Sequence, residues 1–228
     1  MTRNISITKA ALFLLLGFGI ATLAAQQAAI IDATGPLRLR SKEPLAISLG
    51  GGLLPLYPPD SQPMQAELES LSSAATGGKA VYQLVLRNTS GRAQQIAVNP
   101  NSADFEAKAA PNGGYTAALL KISIVSTVSG GQSCVLDSDL KLFGSSAVPG
   151  SLTTLNPGES VRIKAPLHAV CTSAERQISG NTSAVSLSAL VSFGKEEIFT
   201  QSGELHVRDT IENFIKSNSF TVQDIALK

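Results

Sequence analysis

The sequence predicts an all-β fold, a sandwich of two antiparallel sheets made from about eight or nine short strands with little helix. Three observations lead there. Apolar residues recur with a period of two in most segments, Gly, Pro and Asn turn signals separate those segments at sandwich-like spacing, and helical periodicity is almost absent. The 228 residues, 43% of them hydrophobic, are enough for one large β domain, or at most two small ones, with a substantial core.

The elements follow in chain order. Arg3 and Lys9 form a basic start, and Ala10 to Ala25 is an uncharged apolar stretch of the length of a signal-peptide core. Thr22 and Ala24 supply small side chains at the −3 and −1 positions, so cleavage is expected after Ala24 or Ala25. The stretch falls short of the roughly 20 apolar residues that cross a bilayer, and no Cys follows it to carry a lipid. Residues 1–25 therefore read as a signal peptide, and the product as exported to the periplasm or the extracellular space, with no stable membrane span after cleavage.

Residues 26–63 read as N-terminal strands and a connection. Leu37 to Arg40 and Leu45 to Leu49 alternate as early or edge strands, and Gly50-Gly51-Gly52 with Pro55, Pro58, Pro59 and Pro63 breaks regular structure. Residues 64–228 read as the sandwich domain. Met64, Ala66 and Leu68 alternate, Gly77-Gly78 marks a turn, and Tyr82, Leu84 and Leu86 continue on one face, which makes a hairpin. Gln95 to Val98 is a short strand, and a loop is expected from Asn99 to Gly114. Ala118, Leu120, Ile122 and Ile124 mark another strand.

Cys134, Leu136, Leu140 and Leu142 share a parity, as do Val161, Ile163, Ala165, Leu167, Ala169 and Cys171, so both cysteines face inward. An even count in an oxidising compartment invites a Cys134–Cys171 disulfide. Leu155-Asn156-Pro157-Gly158-Glu159 is a sharp turn into the Val161 strand. Val185, Leu187, Ala189, Val191 and Phe193 give the clearest alternation, Gly194-Lys195 is expected to begin a turn, and Phe220 to Ile225 to pair along an edge. Only Thr210 to Lys216, with Ile211, Phe214 and Ile215, suggests a helix.

The segment Tyr82 to Ser90 (YQLVLRNTS), with the Leu155 to Ser160 turn, resembles bacterial extracytoplasmic immunoglobulin-like modules. The resemblance spans roughly Gln65 to Val207, implies a fold and carries no functional residues.

The chemistry is excluded piece by piece. Charged residues are 15% of the chain, and removing Arg3 and Lys9 leaves 16 basic against 17 acidic side chains, a near-neutral surface unsuited to nucleic acid. Trp is absent and aromatics are 5%, against a stacking platform. His168 and His206 are the only histidines, and each reads as solvated or structural. His168 has the parity opposite to Cys171, so no His-Cys metal pair is expected. Asp137 and Asp139 read as a solvated strand face, and Glu196-Glu197 as an exposed hairpin end. Ser138 to Lys141 and Ser192 to Lys195 match S-x-x-K formally, but lie in strands where that chemistry cannot assemble. Gly50-Gly51-Gly52 has no following Lys for phosphate.

No cofactor or metal is expected, and the chain reads as a non-catalytic binding or structural module contacting another envelope or extracellular protein. Leu53, Leu54, Leu56 and Tyr57 form the one Pro-rich apolar segment able to present side chains to a partner, although a loop lying over the sandwich is the favoured reading of it. An envelope enzyme, or a glycan binder using Tyr57, Tyr82 or Tyr115, are the alternatives. Asn88 and Asn181 are formal glycosylation acceptors, meaningful only in a eukaryotic secretory route.

Overall fold

The computed structural model describes residues 29–40, 46–49, 63–72, 80–109, 114–128, 135–137, 140–170, 185–201 and 204–222. The expected leader (1–25), Leu53, Leu54, Leu56, Tyr57, Cys134, Ser138, Asp139, Cys171 and Asn181 lie outside the described residues.

The fold is an all-β sandwich, with thirteen strands and one helix among the described residues. In chain order these are β1 (Ala29–Asp32), β2 (Ala46–Leu49), β3 (Met64–Ser72), β4 (Ala80–Asn88), β5 (Gln94–Ala97), α1 (Ala103–Ala109), β6 (Gly114–Val128), β7 (Val135–Asp137), β8 (Leu140–Gly144), β9 (Leu152–Leu155), β10 (Ser160–Val170), β11 (Val185–Gln201), β12 (Glu204–Lys216) and β13 (Phe220–Val222). One sheet runs β1-β10-β4-β3, with β7 joined to β10; the other runs β2-β12-β11-β6-β8, with β13 joined to β11; β5 and β9 form a separate pair. Most pairings are antiparallel, but β1 lies parallel to β10 and β2 parallel to β12, so the N-terminal segment supplies an edge strand to each sheet.

Two-residue alternation fixes which faces meet. Tyr82, Leu84 and Leu86 on β4 sit opposite Ala165, Ile163 and Val161 on β10 and are buried with them. Leu120, Ile122 and Ile124 on β6 join Leu187, Ala189 and Val191 on β11 from the second sheet, which makes one core between the sheets. Each large aliphatic side chain removed from water there stabilises the fold by about 2 kcal/mol. The reversal into β10 forms as its sequence requires. Glu159 N–H donates to the Asn156 carbonyl at 3.0 Å, Pro157 presets its own φ, and Gly158 adopts φ +82°, a value that favours glycine.

Several elements depart from the sequence expectations, each for a physical reason. Residues 37–40 form no strand: Leu39 is 66% exposed while the Arg40 side chain points inward. The expected loop from Asn99 to Gly114 contains α1, whose Phe105 is fully buried. The alternation from Cys134 to Leu142 is divided between sheets, since β7 pairs with β10 and β8 with β6. No turn occurs at Gly194, because β11 runs unbroken through it. A Cβ there would lie 1.9 Å from the Thr210 carbonyl oxygen, so glycine serves a close approach of two strands.

The expected helix at Thr210 to Lys216 is the second half of β12. Its register on β11 shifts between Phe193 and Gly194, and Glu212 falls in the bulge. The extra residue turns the strand over, so Ile211 and Ile215 face opposite sides of the sheet. Spacing of four that looked helical is a strand changing face.

That change of face produces a second core. Phe105, Ala117, Leu119, Phe143, Ile198, Val207 and Ile211 cluster on the other side of the second sheet, with Tyr115 and Val148 packed against them. An ion pair between Lys141 on β8 and Asp209 on β12, strands separated by two others, spans this face at 2.5 Å. The sheet must curl around the second core for those side chains to meet.

Candidate functional site

The most concentrated chemistry among the described residues lies on this curled face, where four charged side chains meet. Glu196 and Asp209 are directly opposed on β11 and β12, two carboxylates on one face. Like charges so placed repel, and each has its own base. Arg40 Nη2 donates to Glu196 Oε1 at 2.5 Å, and Lys141 Nζ to Asp209 Oδ2 at 2.5 Å. Arg40, Glu196 and Asp209 are 6%, 0% and 1% exposed at their side chains, and Lys141, at 21%, is the member that reaches solvent. The Arg40 guanidinium also lies 5.3 Å from the Phe143 ring centroid, a cation–π contact.

Burial pushes the Glu196 carboxyl up to about 7, with Asp209 adding to the rise and Arg40 and Lys141 opposing it. Arg40 Nη1, Glu196 Oε2 and Asp209 Oδ1 lack hydrogen-bond partners among the described residues.

Arg40 reaches the cluster because residues 38–40 are tied to the start of α1. Arg38 N–H donates to Asn101 Oδ1 at 2.8 Å, Ala103 N–H to the Arg38 carbonyl at 3.2 Å, and Arg40 N–H to Ser102 Oγ at 2.9 Å. The expectation of Glu196-Glu197 as an exposed hairpin end is thereby corrected: Glu196 is wholly buried, and only Glu197, paired with Arg208, is part of an accessible strand face. Parity carried the signal, because Glu196 shares it with Ile198 and breaks the odd-numbered run ending at Phe193.

The remaining candidates include one member of this cluster, Lys141. His206 stacks on Phe199, with ring centroids 5.5 Å apart. His168 pairs with Asp137 in the β10–β7 register. Ser192 is buried, whereas Lys195 is exposed and bonded to Glu212 at 2.9 Å, so this S-x-x-K pair does not converge. In the other, Lys141 is committed to Asp209. Tyr82 is 1% exposed and Tyr115 leans on Phe105, at 6.3 Å between ring centroids. Neither forms part of an aromatic platform. Among the described residues no group of three or more His, Cys, Asp or Glu is arranged to hold a metal ion, and no helix is long and apolar enough to cross a membrane.

Asn88 has a role the sequence did not suggest. It is fully buried, its amide donates to the carbonyls of Arg92 and Leu155 at 2.7 and 2.8 Å, and its oxygen accepts from Ser90 N–H and Oγ at 2.9 and 2.7 Å. This is a structural amide joining the turn after β4 to the end of β9, with no face presented for modification.

No protein-family model matches the chain, and no curated protein does. A solved structure described as "X-ray structure of Northeast Structural Genomics Consortium target SoR45" is similar at 12% identity and a TM-score of 0.22, over 72% of this chain and 86% of that one. A likeness of that size carries no argument about fold or function.

Proposed function

We propose that the chain is an exported, non-catalytic binding or structural module of the envelope or extracellular space, related in fold to immunoglobulin-like modules and contacting another protein. The observation that carries the non-catalytic part is the closure of the Glu196–Asp209 pair by Arg40 and Lys141. Carboxylates that work as acid and base must reach a substrate, and these are occupied by bases of the same chain.

Export is supported by the position of β1, which begins at Ala29. Cleavage after Ala24 or Ala25 leaves three or four residues before the first described strand, so the leader can depart without removing any described strand. The Cys134–Cys171 disulfide belongs to the same reading. It is supported by the antiparallel pairing of residues 168, 169 and 170 with 137, 136 and 135, in the two segments that carry the cysteines. The bridge would close a loop of about 37 residues and stabilise the fold by about 3–4 kcal/mol. Mass spectrometry of unreduced peptides should recover 134 joined to 171.

The partner surface proposed is Leu53, Leu54, Leu56 and Tyr57, a Pro-rich segment suited to extended recognition. Cross-linking of the mature chain in an envelope fraction should capture one partner protein, lost when these four residues are replaced by Ser. A second reading, an envelope enzyme, is favoured by one observation, the pairing of His168 with Asp137 across adjacent strands. Substrate turnover by the purified mature protein, abolished in His168→Ala, would replace the first reading with the second.

A further inference from the structure

The attachment of residues 38–40 is unevenly distributed. Leu39 is 66% exposed and contributes little burial, and the Arg38–Asp104 pair, with Arg38 at 69% exposure, is open to water and screening. Three backbone hydrogen bonds hold the segment to residues 101–103, and one side chain, Arg40, enters the protein. The acceptor of Arg40 is Glu196, whose cross-strand partner is Asp209. Asp209 in turn lies opposite Ile47 in the parallel pairing of β2 with β12, which spans only Ala46–Leu49 against Arg208–Ile211. The inserted arginine is fastened to β11 at Glu196, and the short edge strand that follows it is paired to β12 around Asp209, the residue directly opposite Glu196.

We propose that residues 38–40 are a strap latched by Arg40, and that withdrawal of this one side chain releases the strap and β2 together while the sandwich stays folded. Three features point to this. β2 is a four-residue edge strand paired on one side in the parallel sense, the weaker of the two ladders. The docked latch leaves Arg40 Nη1, Glu196 Oε2 and Asp209 Oδ1 without partners among the described residues, and opening returns them to water. The central strands of the inter-sheet core pair β4 with β10 and β6 with β11, independently of Arg40. Release would uncover the outer edge of β12 at Arg208–Ile211.

Native-state hydrogen exchange on the full mature chain tests this. In Arg40→Met, the amides of Arg38, Arg40, Ala103 and β2 should exchange at least tenfold faster than in the wild type, with Val161 to Leu167 and Leu119 to Ile124 unchanged. Arg40→Lys should restore part of the protection. Should Arg40→Met fail to fold, Arg40→Gln, which keeps a donor for Glu196 but carries no charge, should give the same selective pattern at lower amplitude. Acceleration spread evenly over every strand, acceleration of the strap without β2, or no acceleration in either variant would each overturn the proposal.

Discussion

The proton on Glu196 gives the sharpest quantitative test. Its carboxyl is raised from 4.5 to about 7, chiefly because burial disfavours the charged form, and the groups facing it are Arg40 from the strap, Asp209 from β12 and Lys141 from β8. A folded state that binds a proton more tightly than the unfolded chain is favoured at low pH. This contribution is fully present below about pH 4.5, falls as pH rises, and is gone once pH has passed about 7. At about 1.4 kcal/mol per pH unit, the interval corresponds to about 3 kcal/mol. Glu196→Gln mimics the protonated side chain and cannot ionise. Urea denaturation followed by circular dichroism between pH 5 and pH 8 should show wild type and variant nearly equal at pH 5. At pH 8 the wild type should be the less stable by up to about 3 kcal/mol, with m unchanged. The opposite order at pH 8, or parallel curves throughout, would mean that Arg40 and Lys141 outweigh the desolvation of Glu196 and would refute the reasoning.

Other substitutions probe the backbone and the buried amides. Gly194→Ala places a methyl against the Thr210 carbonyl and should cost about 3 kcal/mol in chemical denaturation, since backbone on both strands must yield. Asn88→Ala removes two donated and two accepted hydrogen bonds at a buried site, and should lower stability by about 2–4 kcal/mol in the same assay, with Asn88→Asp no better because it cannot donate to Arg92 and Leu155. Asn218 accepts from Leu68 N–H at 2.8 Å and so joins the β12–β13 junction to the edge of β3. Asn218→Ala should cost about 1 kcal/mol and speed hydrogen exchange at Leu68 more than at Leu84.

The sandwich and its principal core were legible because alternation on β4, β10 and the first half of β11 is unbroken and each strand keeps one face. The second core was not legible. It requires a strand to change face, and the change depends on a bulge created by the close approach of Gly194 to Thr210, a pairing between distant segments. Read locally, Gly194 resembles a turn and Ile211 to Ile215 a helix turn. Helix α1 escaped for a similar reason: its seven residues carry one large apolar side chain, Phe105, too few for a period to register. Glu196 looked like a surface charge because nothing beside it in the sequence shows that Arg40 will arrive.

The four charged residues also bear on how the chain specifies a single arrangement. Residues 40, 141, 196 and 209 come from segments with no local reason to meet, and a buried charge left without its partner is far more costly than a lost apolar contact. A misplaced strap would leave Glu196 beside Asp209 with one base between them, and a slipped β8 would leave Asp209 without Lys141. An apolar cluster of the same volume would fill the curled sheet with equal or greater stability but would tolerate a shift of the strap along it. Charge at these positions exchanges some stability for register, and it does so where the N-terminal segment passes from β1 on one sheet to β2 on the other, adding a polar anchor at Arg40 to the apolar one at Leu37.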